Sequence, residues 1–97
     1  MSIEGLTFTI TGTLGVDRVK VHDLIREHGG IVRPNVTKKN DYLVVGEAPG
    51  ARKVKKALAY GIRIISGYEF GKMFPEYREL SELEWASKID PTAVDEI

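Results

Sequence analysis

The chain has 97 residues, the size of one domain, and its fourteen Lys and Arg balance its fourteen Asp and Glu. With 42% hydrophobic and 29% charged residues, the composition is typical of a globular protein with one core and excludes a collagen-like or wholly disordered chain. No apolar run approaches the roughly 18 residues of a membrane span, and the absence of cysteine excludes disulfides, thiolate metal sites and cysteine nucleophiles.

The first predicted elements are a strand and a helix. Residues 6–11 alternate apolar and β-branched polar side chains at a period of two, which predicts a strand that ends before Gly12. Asp17 is expected to cap a helix over 18–28, and the glycine pair 29–30 is expected to end it. The apolar residues at helical spacing in this segment are Val21, Leu24 and Ile25.

Two further strands and a lysine-rich helix are predicted in the middle of the chain. Residues 30–33 form a short strand that Pro34 places at a sheet edge, because proline has no amide hydrogen to donate. The continuous apolar run over 41–46 indicates a parallel strand that is covered on both faces. A helix that Gly61 closes comes next. Its predicted buried stripe consists of Val54, Ala57 and Leu58.

A fourth strand and a third helix complete the predicted body. Residues 62–65 are expected to form the strand, and Ser66 with Glu69 three residues later forms a capping box that opens the helix. Pro75 stops this helix, whose predicted buried side chains are Phe70, Met73 and Phe74. Short apolar strands joined through helices predict an α/β fold with a mostly parallel sheet and helices on both faces.

Charge divides the chain into a basic body and an acidic tail. Residues 1–74 carry twelve Lys and Arg against seven Asp and Glu, a net charge of +5, whereas residues 75–97 carry two against seven, a net charge of −5. A basic body favours an anionic partner such as nucleic acid or a phosphorylated protein. We therefore predict a domain over 1–75 and an acidic C-terminal tail over 76–97, partly ordered or disordered. Its residues at short-helix spacing are Tyr77, Leu80 and Leu83.

Three motifs in this order resemble a BRCT domain: Thr11 with Gly12 at the end of the first strand, the glycine pair 29–30, and Thr-Lys-Lys over 37–39. The resemblance spans residues 5–74. It is nearest to the BRCT domains of bacterial NAD-dependent DNA ligases and of the large subunit of the clamp loader, replication factor C. It implies a four-stranded parallel sheet in the order 2-1-3-4, with helices one and three on one face and helix two on the other.

A crevice is expected at the carboxyl edge of such a sheet, because the chain leaves the first and third strands toward opposite faces. Helix N-termini that border it carry positive partial charge and favour a phosphate. Four donors are predicted to converge there: the hydroxyl of Thr11, the amide of Gly12, the guanidinium of Arg18 and the ammonium of Lys53. The resemblance implies that these positions match a 5′-phosphate site in the clamp-loader member. It also implies that the Thr, Gly and Lys positions match a phosphoserine pocket in other BRCT domains.

Further residues are candidates for contacts with a DNA backbone: Thr13, Lys38, Lys39, Arg52 and Lys56. The alternative for the cations of the second helix is a solvated face, whose methylene stems cover apolar surface. Lys38 and Lys39 have the alternative of a simply exposed loop. Thr13 is also a rival to Thr11 for the phosphate, since strand ends are uncertain by two residues or more.

The sequence favours a binding module over an enzyme. It contains no Walker-type motif, no Gly-x-Ser-x-Gly and no paired metal-ligand spacing, so we expect no metal and no cofactor. The leading hypothesis is recognition of 5′-phosphorylated DNA ends or nicks in replication or repair. The alternatives are phosphopeptide binding and a phosphate-independent protein interaction. We expect a monomer inside the cell, in cytoplasm or nucleoid if bacterial and in the nucleus if eukaryotic, with no membrane partner.

Overall fold

The chain folds into four strands and four helices within residues 3–87, the part that this computed structural model describes, with side chains described as far as Glu82. In chain order the elements are β1 (Thr7–Thr11), α1 (Arg18–Glu27), β2 (Ile31–Val32), β3 (Tyr42–Val45), α2 (Ala51–Tyr60), β4 (Arg63–Ser66), α3 (Gly67–Met73) and α4 (Pro75–Ser87). Each strand and helix predicted from the sequence is present, and α4 is added after the third predicted helix.

All four strands lie parallel in one sheet, in the order β2-β1-β3-β4. The register pairs Phe8 with Tyr42 and Thr11 with Val45, so β1 and β3 end at the same edge. The two-residue strand β2 occupies one edge, as the proline after it predicted. The predicted order 2-1-3-4 is confirmed, and the sheet edge where β1 and β3 end is called the carboxyl edge below.

The sheet separates two apolar clusters of unequal size. On β1, Phe8 and Ile10 belong to the larger cluster, which also receives the buried residues of α1 and α3. The smaller cluster joins Leu43 of β3 to Ala57 of α2 and to Val36. Helices α1 and α3 therefore lie on one face of the sheet and α2 on the other, as the resemblance implied.

Aromatic rings fill the larger cluster and connect α4 to it. Phe70 stacks on Phe74 with ring centroids 4.5 Å apart, and Phe8 meets both rings edge-on. Tyr77 of α4 packs edge-on against Phe70 at 5.0 Å and is buried. The domain boundary after residue 75 stays a prediction. Residues 88–97 of the predicted acidic tail, and the side chain of Leu83, lie outside the part described.

Two local predictions were wrong in detail. Leu58 was expected in the buried stripe of α2, but 69% of its surface is exposed. The contact between α2 and the sheet is narrow because it centres on the small side chain of Ala57. Leu58, the next residue of the helix, points about 100° away from that contact. Asp17 precedes α1 at the capping position, yet within the described residues its side chain makes no capping hydrogen bond. The capping box is confirmed, since Ser66 Oγ accepts from the amide of Glu69 at 3.1 Å.

A buried polar network fixes the segment that crosses from β2 to β3. Asn40 donates from Nδ2 to Thr9 Oγ1 at 2.7 Å, and its Oδ1 accepts from the amide of Thr37 at 3.0 Å. Thr9 in turn donates to the carbonyl of Asn35 at 3.2 Å. The buried hydroxyl of Thr9 is therefore satisfied by the crossing segment, as burial of a polar group requires.

Removal of this network tests its contribution to stability. Asn40→Ala leaves the amide of Thr37 and the hydroxyl of Thr9 without their Asn40 partner, so we expect a loss of about 1–3 kcal/mol in the free energy of unfolding. Chemical denaturation measures the loss. Asn35→Ala is the matched control, because only its backbone carbonyl takes part and its side chain is exposed. Equal losses in the two variants would contradict the assignment.

A hydrogen bond between His28 and Glu76 joins the end of α1 to the start of α4. His28 donates from Nε2 to the carboxylate of Glu76, and its ring packs edge-on against Phe74 at 5.2 Å. This bond lowers the pKa of Glu76 below its ordinary value of 4.5. Because ionised Glu76 is favoured in the folded chain, its contribution to stability is present above pH 4.5 and is lost as the pH falls through the lowered pKa.

Glu76→Gln is expected to reduce the unfolding midpoint above the ordinary glutamate pKa, and the gap to the unmodified chain should close at lower pH. Urea unfolding over a pH series measures this gap. Glu79→Gln, an exposed change on the same helix, serves as the control for the removal of one carboxylate from α4. A gap for Glu76→Gln that persists well below pH 4.5 would mean that the ionised carboxylate is not the stabilising form.

Candidate phosphate-binding site

Two loops that leave the central strands are hydrogen-bonded to each other at the carboxyl edge. The β1–α1 loop covers residues 12–17 and the β3–α2 loop covers residues 46–50. The amide of Thr13 donates to the carbonyl of Glu47 at 2.8 Å, and the amide of Glu47 donates to the carbonyl of Thr13 at 2.8 Å. The starts of α1 and α2 are therefore held at one edge, on opposite faces of the sheet.

Gly12 is required by the close approach of these loops. Its φ is +84°, and a Cβ atom there would lie 2.6 Å from the carbonyl oxygen of Glu47. The sequence predicted that Gly12 offers an approachable amide. The structure adds a second reason for glycine, because any side chain would push the β3–α2 loop away.

Arg18 lies at the first position of α1 and turns back to the loop. Its Nη2 donates to the carbonyl of Gly12 at 2.9 Å, which uses one of its five N–H groups. Gly12 and Arg18 both line a cavity of about 320 Å³ that follows the β1–α1 loop. The structure thus brings together these two predicted residues, beside the positive end of α1.

Thr11 joins the end of β1 to the start of α2. It is buried, and its Oγ1 accepts from the amide of Gly50 at 2.9 Å. The hydroxyl therefore anchors the residue that precedes α2 and keeps its own proton for a further acceptor. Thr13, its predicted rival, is exposed.

Lys53 lies in the first turn of α2, three residues after Gly50 and partly buried. Its neighbours Val54 and Ala57 face the sheet, so the Lys53 stem lies beside the packed face while the later lysines are exposed. The predicted residues lie at the same edge: Thr11 ends β1, Gly12 begins the β1–α1 loop, Arg18 begins α1 and Lys53 lies in the first turn of α2. The contacts described for them are those of Arg18 with Gly12 and of Thr11 with Gly50, and the convergence of all four donors on one phosphate stays a prediction.

The candidate DNA-backbone residues separate into two groups. Thr13 lies in the site, and Arg52 and Lys56 are exposed on α2. Lys38, in contrast, places its Nζ 5.8 Å from the ring centroid of Tyr60, the last residue of α2. Because a ten-residue helix is about 15 Å long, Lys38 and the adjacent Lys39 lie at the opposite end of the sheet from Thr11.

Sequence reasoning missed two residues that build the site, Glu47 and Gly50. Both contribute backbone groups, the first to Thr13 and the second to Thr11. The turn over 46–50, rich in glycine and proline, was the available signal. It could not show which strand end the turn would contact, because the hydrogen bonds join residues more than thirty positions apart.

Comparison with known proteins gives the family. The profile of the BRCA1 C Terminus (BRCT) domain matches residues 3–67. The chain belongs to the BRCT family. A DNA ligase of Aquifex aeolicus is 40% identical over 87 residues, which cover 89% of this chain and 12% of the ligase. A DNA ligase of Thermodesulfovibrio yellowstonii is 48% identical over 71 residues, 73% of this chain and 10% of the ligase. The chain thus spans about a tenth of the length of these relatives.

Solved structures agree on the fold. Rad4 BRCT3,4 of S. pombe superposes with a TM-score of 0.66 at 16% identity, over 76% of this chain and 42% of that one. Rad4 BRCT1,2, solved in complex with a Mdb1 phosphopeptide, superposes with a TM-score of 0.63 at 19% identity, over 82% of this chain and 41% of that one. Both confirm the BRCT fold that the sequence motifs predicted. Among the described residues, none of the helices is long and apolar enough to cross a membrane.

Gly12→Ala tests the close approach of the two loops. Alanine at positive φ costs about 1–2 kcal/mol, and the contact with Glu47 adds roughly 1–3 kcal/mol more. Gly5→Ala is the matched control, because its φ is +79° and a Cβ there meets no atom of the described residues within 4 Å. Chemical denaturation should show a larger loss for Gly12→Ala. Equal losses would mean that the loops can move apart freely.

Proposed function

We propose that this BRCT domain is a non-catalytic module that binds the 5′ phosphate of a DNA end or nick at the carboxyl edge. The observation that carries the proposal is the hydrogen bond from Arg18 to Gly12, beside the bond that joins Thr11 to the start of α2. These contacts bring a guanidinium, a loop backbone and two helix starts to one edge. In this role the domain tethers a replication or repair activity that resides elsewhere.

The charge of the ligand favours an end over the interior of a DNA strand. A terminal phosphate carries about −1.5 to −2 charges and three free oxygens, whereas an internal diester carries one charge and two free oxygens. A guanidinium engages two oxygens in a fixed fork, and a lysine adds a mobile point charge. In the proposed site, Arg18 and Lys53 would supply these donors together with the positive ends of α1 and α2, a set that matches the terminal group best.

The relatives support DNA as the ligand. The chain is 40–48% identical to proteins named DNA ligases, in which the matched region makes up about a tenth of the length. Phosphopeptide binding is the second candidate, because Rad4 BRCT1,2 was solved with a phosphopeptide and has the same fold. A DNA end and a phosphopeptide need the same donors at the phosphate group. The two ligands differ only in the groups attached to that phosphate.

Lys53→Gln tests the proposed function. We expect affinity for a 5′-phosphorylated duplex to fall roughly tenfold or more, as for the loss of a charged hydrogen bond, with little change for the unphosphorylated duplex. Lys55→Gln is the matched control: it removes the same charge from an exposed position on the same helix and should weaken both duplexes slightly and equally. Fluorescence anisotropy at two salt concentrations measures each affinity.

Two results would contradict the proposal. Equal affinity of the unmodified chain for phosphorylated and unphosphorylated duplexes would exclude recognition of the end. A phosphoserine peptide that binds more tightly than the phosphorylated duplex would move the assignment to the second candidate. Circular dichroism of Lys53→Gln must match that of Lys55→Gln, so that a change in binding is not a change in folding.

A further inference from the structure

A larger cavity of about 610 Å³ lies beside the phosphate site at the carboxyl edge. Residues 13–15 line both this cavity and the 320 Å³ cavity of Gly12 and Arg18, so the two cavities share one wall. Residues 45–47 and side chains of α3 and α4 form the remaining walls. The larger cavity therefore lies next to the position proposed for the phosphate, across residues 13–15.

Two glycines, which carry no side chain, keep this cavity open. A Cβ on Gly67 would lie 3.3 Å from the hydroxyl of Tyr77 and 3.4 Å from Cδ2 of Leu14, and a Cβ on Gly71 would lie 3.5 Å from Cδ1 of Tyr77. The apolar side chains that line the cavity include Leu14, Val45 and Tyr77. Apolar walls with a few polar groups and a volume between about 300 and 1,000 Å³ are typical of small-ligand sites.

The rim of the cavity offers an aromatic face and two cations. Tyr68 is 74% exposed, more than any other large hydrophobic side chain among the described residues, and Lys72 Nζ lies 4.7 Å from its ring centroid. Lys72 and Arg78 both line the cavity. An exposed ring beside cations is the combination on which nucleic-acid bases stack while their backbone phosphates are neutralised.

Carboxylates at the same rim restrict what the cavity accepts. Glu47 and Glu82 line it, and an ionised carboxylate only accepts hydrogen bonds. These groups repel a second free phosphate in the cavity. They attract the exocyclic amino group of cytosine or adenine, as acidic side chains do with cytosine in DNA grooves.

We propose that this cavity receives the base of the 5′-terminal nucleotide when that base is unpaired, with its face on Tyr68. The inference rests on the proposed function and narrows it to phosphorylated ends whose first nucleotide is single-stranded. In a duplex the base is stacked and paired, and its face is not available to Tyr68. Bringing it to the cavity then requires unstacking and unpairing at a cost of a few kcal/mol, which an unpaired end avoids.

Anisotropy titrations of the 97-residue chain with three DNAs, each prepared with and without a 5′ phosphate, test this. The first has a blunt end, the second has one unpaired 5′ cytosine, and the third has an abasic unpaired residue at that position. We expect the cytosine end to bind roughly fivefold or more tightly than the other two, the lower limit for one base stacked on an aromatic ring. Tyr68→Ala should abolish this preference. Tyr60→Ala, a change at an exposed tyrosine at the opposite end of the sheet, should keep it.

The outcomes separate this inference from the proposed function. If the phosphorylated ends all bind equally but more tightly than unphosphorylated DNA, the base pocket is overturned and the phosphate site stands. If the cytosine preference persists in Tyr68→Ala, the base lies elsewhere and the assignment of this cavity is wrong. If phosphorylation has no effect on any DNA, the proposed function fails. Loss of the preference in Tyr68→Ala with phosphate discrimination retained supports the inference.

Discussion

The reciprocal hydrogen bonds between Thr13 and Glu47 are the constraint on which the rest of the site depends. Parallel strands whose crossovers lie on opposite faces would otherwise diverge at their carboxyl ends, and each loop could move independently. Here the backbone of one loop satisfies the backbone of the other, and Gly12 permits the contact with its positive φ. The starts of α1 and α2 are thus fixed relative to each other before any ligand binds, which lowers the entropic cost of binding.

The side chains of β1 alternate between the two faces of the sheet, so this strand contributes both to the core and to the candidate site. All five of its residues are buried, with Phe8 and Ile10 on the side of the larger cluster and threonines on the other side. The threonine face needs hydrogen-bond partners, since burial of an unpaired hydroxyl is unfavourable. Thr9 finds them in the crossing segment, and Thr11 finds one in Gly50 at the edge. Thr11, which holds the start of α2 through Gly50, is therefore the last residue of the same alternating pattern that places Phe8 and Ile10 in the core.

What the sequence predicted well was determined by local rules. The alternation in β1 and the capping box of Ser66 and Glu69 depend on neighbours within a few residues, and both were found where predicted. The exposure of Leu58 was missed because periodicity identifies the centre of a buried face and not its width. The network of Asn40 with Thr9 spans 31 positions, and only the folded sheet shows which residues it brings together.

The position of Lys38 shows why charge alone is a poor guide to the site. A basic body of +5 predicts an anionic partner, but it does not say where the cations meet. The crossing segment carries Lys38 to Tyr60, at the far end of α2 from Lys53. A single phosphate cannot contact both ends of a helix about 15 Å long. The proposed recognition of an end thus depends on the few donors near the hydrogen bonds between Thr13 and Glu47, whereas the remaining cations would act on any nearby polyanion through a field that salt screens.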